Sequence, residues 1–339
     1  MTDPLQDLAC ALDAKIGAYL LKKNRTHFWY ASCPDAALPQ LHALGFDNYP
    51  LADVGFSDRM FFFERILGCP MHVVDSKTGS FFHTWCLPVI GELRDIRRVT
   101  CDLDTNETWR PYFEAVARYT RGGGTLPVGS FPFNPLDLAC NLCGTQRLFT
   151  WMVDAPEDVA LLFETITTTY LEAHRQLIAL GVRLVNLFGF PGVYCSDLQL
   201  PYVSPAMVER FVLPQYELVA RECGGMILAL LHPDARILER IMATDAILGC
   251  SFDKRIPLTE IRQRIGHKLF VLFNYLYDDS LDRPTCRDGT YWNPIVQGYS
   301  REAVEVFRVL GRTTSLITWI ERPSLDEVCR VRDMLVMEA

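Results

Sequence analysis

The segment Leu228-Ala-Leu-Leu-His-Pro-Asp-Ala235 carries the strongest chemical pattern in this chain. An apolar run, Met226 to Leu231, stops abruptly on His232, Pro233 and Asp234. Such a run reads as a short buried strand that the proline terminates. An imidazole and a carboxylate two residues apart then stand at the strand's C-terminal lip. In barrels and open sheets of parallel strands, catalytic groups collect at that lip. A His and a carboxylate there can ligate a metal, or act as a general acid and base. The structural alternative is a histidine hydrogen-bonded into the strand end.

The elements that would position this lip follow from about residue 125 onward. Short apolar runs alternate there with longer amphipathic stretches. Strands are predicted at Leu126–Phe131, Val182–Phe188, Met226–Leu231, Ala246–Phe252, Leu269–Phe273 and Thr314–Ile320. A helix is predicted over Ala155–Leu180, with Asp154 as its cap, Pro156 in its first turn and Gly181 beyond its end. Ser204-Pro205 opens another that runs through Ala220. Further helices are predicted at Asp234–Ala243, Pro257–Ile265, Ser300–Leu310 and Ser324–Val336, the last with Ser324 and Glu327 at capping-box spacing. Two more strands are needed for an eightfold barrel. His27–Ala31 supplies one, and Met71–Phe82 the other, as a hairpin around the turn-rich Asp75-Ser-Lys-Thr-Gly79. The expected fold is α/β: a single (β/α)8 TIM barrel over residues 1–339, with residues 1–25 as an N-terminal helical extension. An open doubly wound sheet is the alternative. Arg121-Gly-Gly-Gly124 lacks the spacing of a dinucleotide fingerprint and reads as a loop.

Composition narrows the function classes. The chain of 339 residues carries 33 basic against 41 acidic side chains, a formal charge of −8. No Lys/Arg run or stripe is present, which argues against nucleic acid and against an anionic membrane surface. Met1-Thr-Asp-Pro-Leu-Gln-Asp7 has no basic or apolar leader pattern, and no apolar run approaches the ~20 residues of a membrane span. A cytoplasmic protein is expected, its 12 cysteines reduced. Cys140-Asn-Leu-Cys143 is a lone C-x2-C pair in a predicted helix, without the second pair a zinc site needs. Cys195 and Cys250 stand near strand ends as soft ligands or as buried thiols.

Aromatic residues cluster twice. Phe61-Phe-Phe63 with Phe81, Phe82 and Trp85 reads as core or as the interface of a homodimer. Tyr275 and Tyr277, with Tyr291 and Trp292, lie in a long connection, Tyr275 to Tyr299. A loop of that length is expected to act as a lid over the mouth and to contact an apolar or aromatic substrate. A surface excursion or a dimer contact is the alternative.

Several of these segments, in order and spacing, form a known pattern. They are Phe133-Asn-Pro-Leu-Asp-Leu-Ala-Cys-Asn-Leu-Cys-Gly-Thr145, Val153-Asp-Ala-Pro-Glu-Asp-Val159, Ser196-Asp-Leu198, Val203-Ser-Pro205, Phe211-Val-Leu-Pro214, Leu231-His232 and Gly266-His-Lys-Leu-Phe-Val-Leu-Phe-Asn274. Together they resemble the uroporphyrinogen decarboxylase superfamily over roughly residues 125–339; the first hundred residues match loosely. The resemblance implies a (β/α)8 barrel with its cleft at the C-terminal mouth. True decarboxylases of the superfamily grip substrate carboxylates with an arginine-rich N-terminal signature. Here that strand reads Thr26-His-Phe-Trp-Tyr-Ala-Ser32, with no clustered arginine for such charge-assisted bonds.

The resemblance is therefore closest to the corrinoid-dependent methyltransferase branch, whose members often bind zinc through a His-x-Cys pair and a distant Cys. This chain has Asp234 at the position of the paired Cys, and Ser315-Leu-Ile-Thr-Trp-Ile-Glu-Arg-Pro323 contains no Cys. Glu321 is the nearest replacement. His232, Asp234 and Glu321 are thus the candidate metal set, harder than His/Cys/Cys, or a metal-free acid group. By the same resemblance Asp197 faces the cleft, where Tyr194 and Ser196 offer neighbouring hydrogen-bond groups, and Asn274 matches a family asparagine. The alternatives are a turn-forming Asp and a structural Asn. The expected catalytic residues are His232, Asp197 and Asp234, and the expected substrate contacts are Tyr194, Asn274, Tyr275 and Tyr277.

The resemblance implies a demethylase component that moves a methyl group from a small O- or N-methylated substrate to cobalamin. No Asp-x-His-x-x-Gly cobalamin motif is present, so the cofactor would arrive on a partner corrinoid protein. The alternatives are a decarboxylase or lyase acting on a small acid, and a non-catalytic barrel that binds a small molecule. All of these readings require His232, Asp197 and Glu321 to converge on one pocket.

Overall fold

The computed structural model describes residues 27–32, 37–47, 51–55, 61–73, 84–186, 190–230, 235–252, 263–265, 268–271, 316–321 and 324–338. Among them ten strands occur: β1 His27–Ser32, β2 Met71–Val73, β3 Thr84–Cys86, β4 Val128–Gly129, β5 Leu184–Val185, β6 Val193–Cys195, β7 Met226–Leu230, β8 Ile247–Phe252, β9 Leu269–Val271 and β10 Leu316–Glu321. The chain forms two compact units. One comprises Met1–Pro50, Phe188–Phe190 and Gly225–Ala339, the other Leu51–Leu187 and Pro191–Gly224.

The first unit is built on parallel strands in the order β1-β10-β9-β8-β7. The helix Ala235–Met242 connects β7 to β8, and Leu325–Glu338 follows β10. Each residue of β7 is at most 1% exposed, which explains its unbroken apolar sequence. A parallel strand covered on both faces has no polar side to alternate with. Strand β1 pairs with β10 over six residues, His27 opposite Leu316 through Ser32 opposite Glu321. The first and last described strands are thus neighbours in one sheet.

Gly249 pairs with Leu269 between β8 and β9. A β-carbon at Gly249 would stand 2.7 Å from the Leu269 carbonyl oxygen. Backbone cannot swing aside as a side-chain tip can. Gly249→Ala is therefore expected to cost about 1–3 kcal/mol by overpacking, read as a lower midpoint in denaturant unfolding.

The second unit packs helices around short strands. β4 and β5 are parallel; β2 and β3 are antiparallel as expected of a hairpin, but the second strand lies beyond Phe82 and the pair forms a sheet of its own, not a strand added to the parallel sheet, among the described residues. The helices Trp109–Arg121, Pro135–Cys143, Thr145–Asp154, Pro156–Ala179 and Leu213–Cys223 enclose an aromatic core. Phe62 stacks on Phe131 at 4.4 Å, and Phe63 lies 5.0 Å from Tyr170. Both phenylalanines are buried, so the core reading holds for this part of the first aromatic group.

Several local expectations need correction. Asp154 does not cap the long helix; it is the last residue of Thr145–Asp154. Pro156 disfavours helical backbone at the residue before it, so Ala155 leaves the helical conformation (φ −140°, ψ 57°) and the long helix starts afresh at Pro156. Ser204 does cap its helix, its Oγ accepting from Met207 N at 3.3 Å. That helix, however, passes through a π-helical turn at Val208–Val212 before Leu213–Cys223. Pro214 explains the wider turn, because its ring cannot accept an ordinary α-helical neighbour at position 210. The expected Leu126–Phe131 strand shrinks to β4; the Phe131 carbonyl instead accepts the Tyr170 hydroxyl at 2.6 Å. The expected Val182–Phe188 strand is β5 within the described residues, and β6 had no counterpart in the sequence reading.

The Arg121-Gly-Gly-Gly124 loop has a packing role. The Tyr119 hydroxyl accepts from Leu126 N at 2.8 Å, and its ring occupies the space a β-carbon on Gly124 would need, 2.2 Å from Cζ. Cys140 and Cys143 sit buried in the Pro135–Cys143 helix, and Cys195 and Cys250 are also buried free thiols. The 1–25 extension, the Ser300–Leu310 helix and the Tyr275–Tyr299 connection lie outside the described residues. Among the described residues, no helix is long and apolar enough to cross a membrane.

Candidate functional site

In the first unit the parallel strands set the lip at which chemistry was expected. β7 ends at Leu230, and the next described residue, Ala235, opens a helix. His232 and Asp234 lie outside the described residues, as do Asn274, Tyr275 and Tyr277 beyond β9. Glu321 is the final residue of β10, its backbone opposite Ser32. Three strand-to-strand steps separate β7 from β10. At about 4.8 Å each, these put the two strand ends about 14 Å apart along the sheet. A histidine after β7 and a carboxylate at the end of β10 share a pocket only if the sheet curls. Among the described residues, no group of three or more His, Cys, Asp or Glu side chains is arranged to hold a metal. The His232, Asp234 and Glu321 side chains are not among those described.

In the second unit Asp197 is the centre of a polar cluster. It is 1% exposed. Its Oδ2 accepts the Tyr216 hydroxyl at 2.6 Å and lies 3.9 Å from the Cys195 thiol. Its Oδ1 accepts from the Asp137 backbone N–H at 2.9 Å, satisfying an orphan donor in the first turn of the Pro135–Cys143 helix. Asp137 returns the arrangement: its two carboxylate oxygens accept from the Leu198 and Gln199 N–H groups, each at 3.0 Å. Asn134 Oδ1 accepts from Ser196 N at 2.6 Å. Two segments about sixty residues apart are thus clasped by reciprocal side-chain-to-backbone bonds.

The clasp places two carboxylates in a poorly solvated space. Burial raises the Asp197 carboxyl well above its ordinary range, and the neighbouring Asp137 charge raises it further. Burial likewise lifts Asp137 to about 6, partly countered by its bonds from Leu198 and Gln199. Burial also pushes the Tyr216 hydroxyl up, so it remains a donor to Asp197. Tyr194 is partly exposed, its carbonyl accepts from Phe133 N at 2.9 Å, and burial raises its hydroxyl.

Of the expected site residues, then, the structure describes Asp197 and Tyr194 with their side chains, both around β6. Sequence reasoning missed Asp137, Asn134 and Tyr216 as partners of Asp197. The signal was available for two of them: Asn134-Pro-Leu-Asp137 is a capping pattern at a helix start. Tyr216 had none, since its role depends on a contact across the fold.

A parallel-stranded α/β framework with helices between its strands defines a broad class of barrel and open-sheet proteins. Within it the assignment is specific. Residues 27–274 match the sequence profile of the family described as uroporphyrinogen decarboxylase (URO-D), and the chain belongs to that family. Among solved structures, a methyltransferase from Methanosarcina mazei shares the fold with a TM-score of 0.57 at 13% identity, covering 89% of this chain and 83% of that one. No curated protein matches the sequence significantly.

Proposed function

We propose that this chain is a methyltransferase of the uroporphyrinogen decarboxylase family, taking a methyl group from a small O- or N-methylated substrate. The observation that carries the proposal is the position of His232 and Asp234, directly after a central, fully buried parallel strand. The methyltransferase identity of a solved protein sharing the fold supports it, as does the absence of clustered arginine in the N-terminal strand. We further propose that the sheet closes into the full (β/α)8 barrel.

A methyl ether or methylamine is a poor methyl donor unless its heteroatom is protonated or metal-bound as the bond breaks. His232 is assigned as that proton donor, with Asp234 and Glu321 raising the proton affinity of its ring. Asn274, Tyr275 and Tyr277 are assigned to orienting the substrate, the aromatic rings favouring an aromatic or apolar methyl donor. A corrinoid carried by a partner protein would supply the nucleophile that receives the methyl group. The His/Asp/Glu set is also one that zinc accepts, at which it would act as a Lewis acid on the heteroatom. The role of this chain is to orient the donor, exclude water and deliver the proton.

Mixing the protein with a cobamide-loaded corrinoid protein and a panel of methylated aromatics tests the reading. A methyl-cobalt absorption band that depends on this chain is expected. A second reading, decarboxylation of a small acid, is favoured by the family's own description; it predicts carbon dioxide release with no change at cobalt.

A further inference from the structure

Sulfur atoms converge at the β2–β3 hairpin of the second unit. Met71 stands directly opposite Cys86 in the antiparallel register, so the two side chains leave the same face of the hairpin. Cys86 Sγ lies 3.7 Å from Met71 Sδ. Cys69, two residues before Met71 and 4% exposed, neighbours the Cys86 thiol closely enough to influence it. Its own Sγ lies 4.0 Å from the Asn141 carbonyl.

The surroundings hold these atoms in place. Cys69 N donates to the Glu64 carbonyl at 2.8 Å, and Leu87 N to the Pro70 carbonyl at 2.9 Å. Asn141 Nδ2 donates to Glu64 Oε1 at 2.8 Å. Cys86 and Met71 are partly exposed, which leaves a route from solvent.

We propose that Cys69, Met71 and Cys86 form a binding site for a soft monovalent metal ion, Cu(I). Metal–sulfur bonds of about 2.3 Å place ligating sulfurs about 3.8–4.0 Å apart in tetrahedral or trigonal geometry. The Cys86–Met71 spacing already has that scale. Two thiolates and a thioether are the soft donor set that selects Cu(I) over zinc or magnesium. The thioether is decisive, because His, Cys, Asp and Glu alone assemble no three-donor site among the described residues. On binding, the ion replaces the two thiol protons, which leave to solvent, and no electron is transferred. The site stands on the hairpin geometry and is independent of the methyl-transfer reading.

The test is anaerobic titration of the full, reduced chain with Cu(I) in the presence of a chromophoric Cu(I) chelator. Wild type is expected to withdraw one equivalent, with an all-sulfur first coordination shell by X-ray absorption. Met71→Leu keeps volume and shape, and Cys86→Ser removes a thiolate. Each is expected to weaken retention by at least the ~10–100-fold carried by outer-shell partners of metal sites. Cys329→Ser, on the C-terminal helix, is expected to leave retention unchanged. If wild type withdraws no copper, or if Met71→Leu and a folded Cys86→Ser retain it as tightly as wild type, the site is not there. If Cys86→Ser does not fold by circular dichroism, Met71→Leu decides alone.

Discussion

Replacing His232 by alanine is expected to lower the rate constant of methyl transfer by about 10²–10⁴-fold, the range carried by a positioned general acid. The reason is the placement of the residue. β7 is a buried parallel strand, and the chain leaves it directly into His232-Pro-Asp234. Removing the imidazole leaves the strand intact, so the thermal midpoint should stay close to that of wild type. Substrate affinity should change less than turnover, because the proton is needed as the bond breaks rather than as the substrate binds. The Glu321→Gln variant should show a smaller loss and a shifted pH profile, as expected of a residue that tunes the imidazole. Full turnover in His232→Ala would remove this residue from the mechanism.

The second large effect concerns stability. Asp197→Ala strips a buried hydroxyl and a helix-start N–H of their acceptor. The expected cost is about 3–5 kcal/mol, since each buried donor left without a partner costs about 1–3 kcal/mol. Tyr216→Phe removes a single hydroxyl and should cost less. The pH dependence has a definite sign. Asp137 and Asp197 both have folded-state affinities for protons above those of the unfolded chain. Their stabilising contribution is complete below the unfolded carboxylate range near 4. It is lost as pH rises through about 6, the value for Asp137. His174, lowered by burial to about 4, acts in the opposite direction between about 4 and 6.5 and cancels in a comparison of variants. Asp197→Asn carries no charge at any pH. Its stability relative to wild type should therefore rise between pH 5 and pH 8, measured by denaturant unfolding at each pH. A difference that stays flat would mean the carboxylates are not confined together.

The parallel strand–helix alternation after residue 125 was legible because buried parallel strands are continuously apolar and the helices between them are amphipathic. β7, β8 and β10 fall within a residue or two of their expected positions. Boundaries failed where proline and tertiary contacts intervened. Pro156 opens the long helix as expected, but Asp154 ends the preceding helix instead of capping this one, and Pro214 forced a π turn. β4 was shorter than its sequence because Tyr170 takes the Phe131 carbonyl. Asp197 was expected to face the cleft; its burial, its reciprocal capping with Asp137 and its bond to Tyr216 were not legible. Local spacing cannot announce a partner sixty residues away. The sulfur cluster escaped for the same reason, because Met71 and Cys86 meet only through strand register.

One isotope experiment addresses the central claim most directly. A methylated aromatic acid labelled separately at its methyl and carboxyl carbons is turned over by the chain together with a reduced corrinoid protein. The methyl label should appear on cobalt while the carboxyl label stays in the demethylated product. Carboxyl label released as carbon dioxide, with the methyl group still on its heteroatom, would contradict the methyl-transfer account and favour decarboxylation.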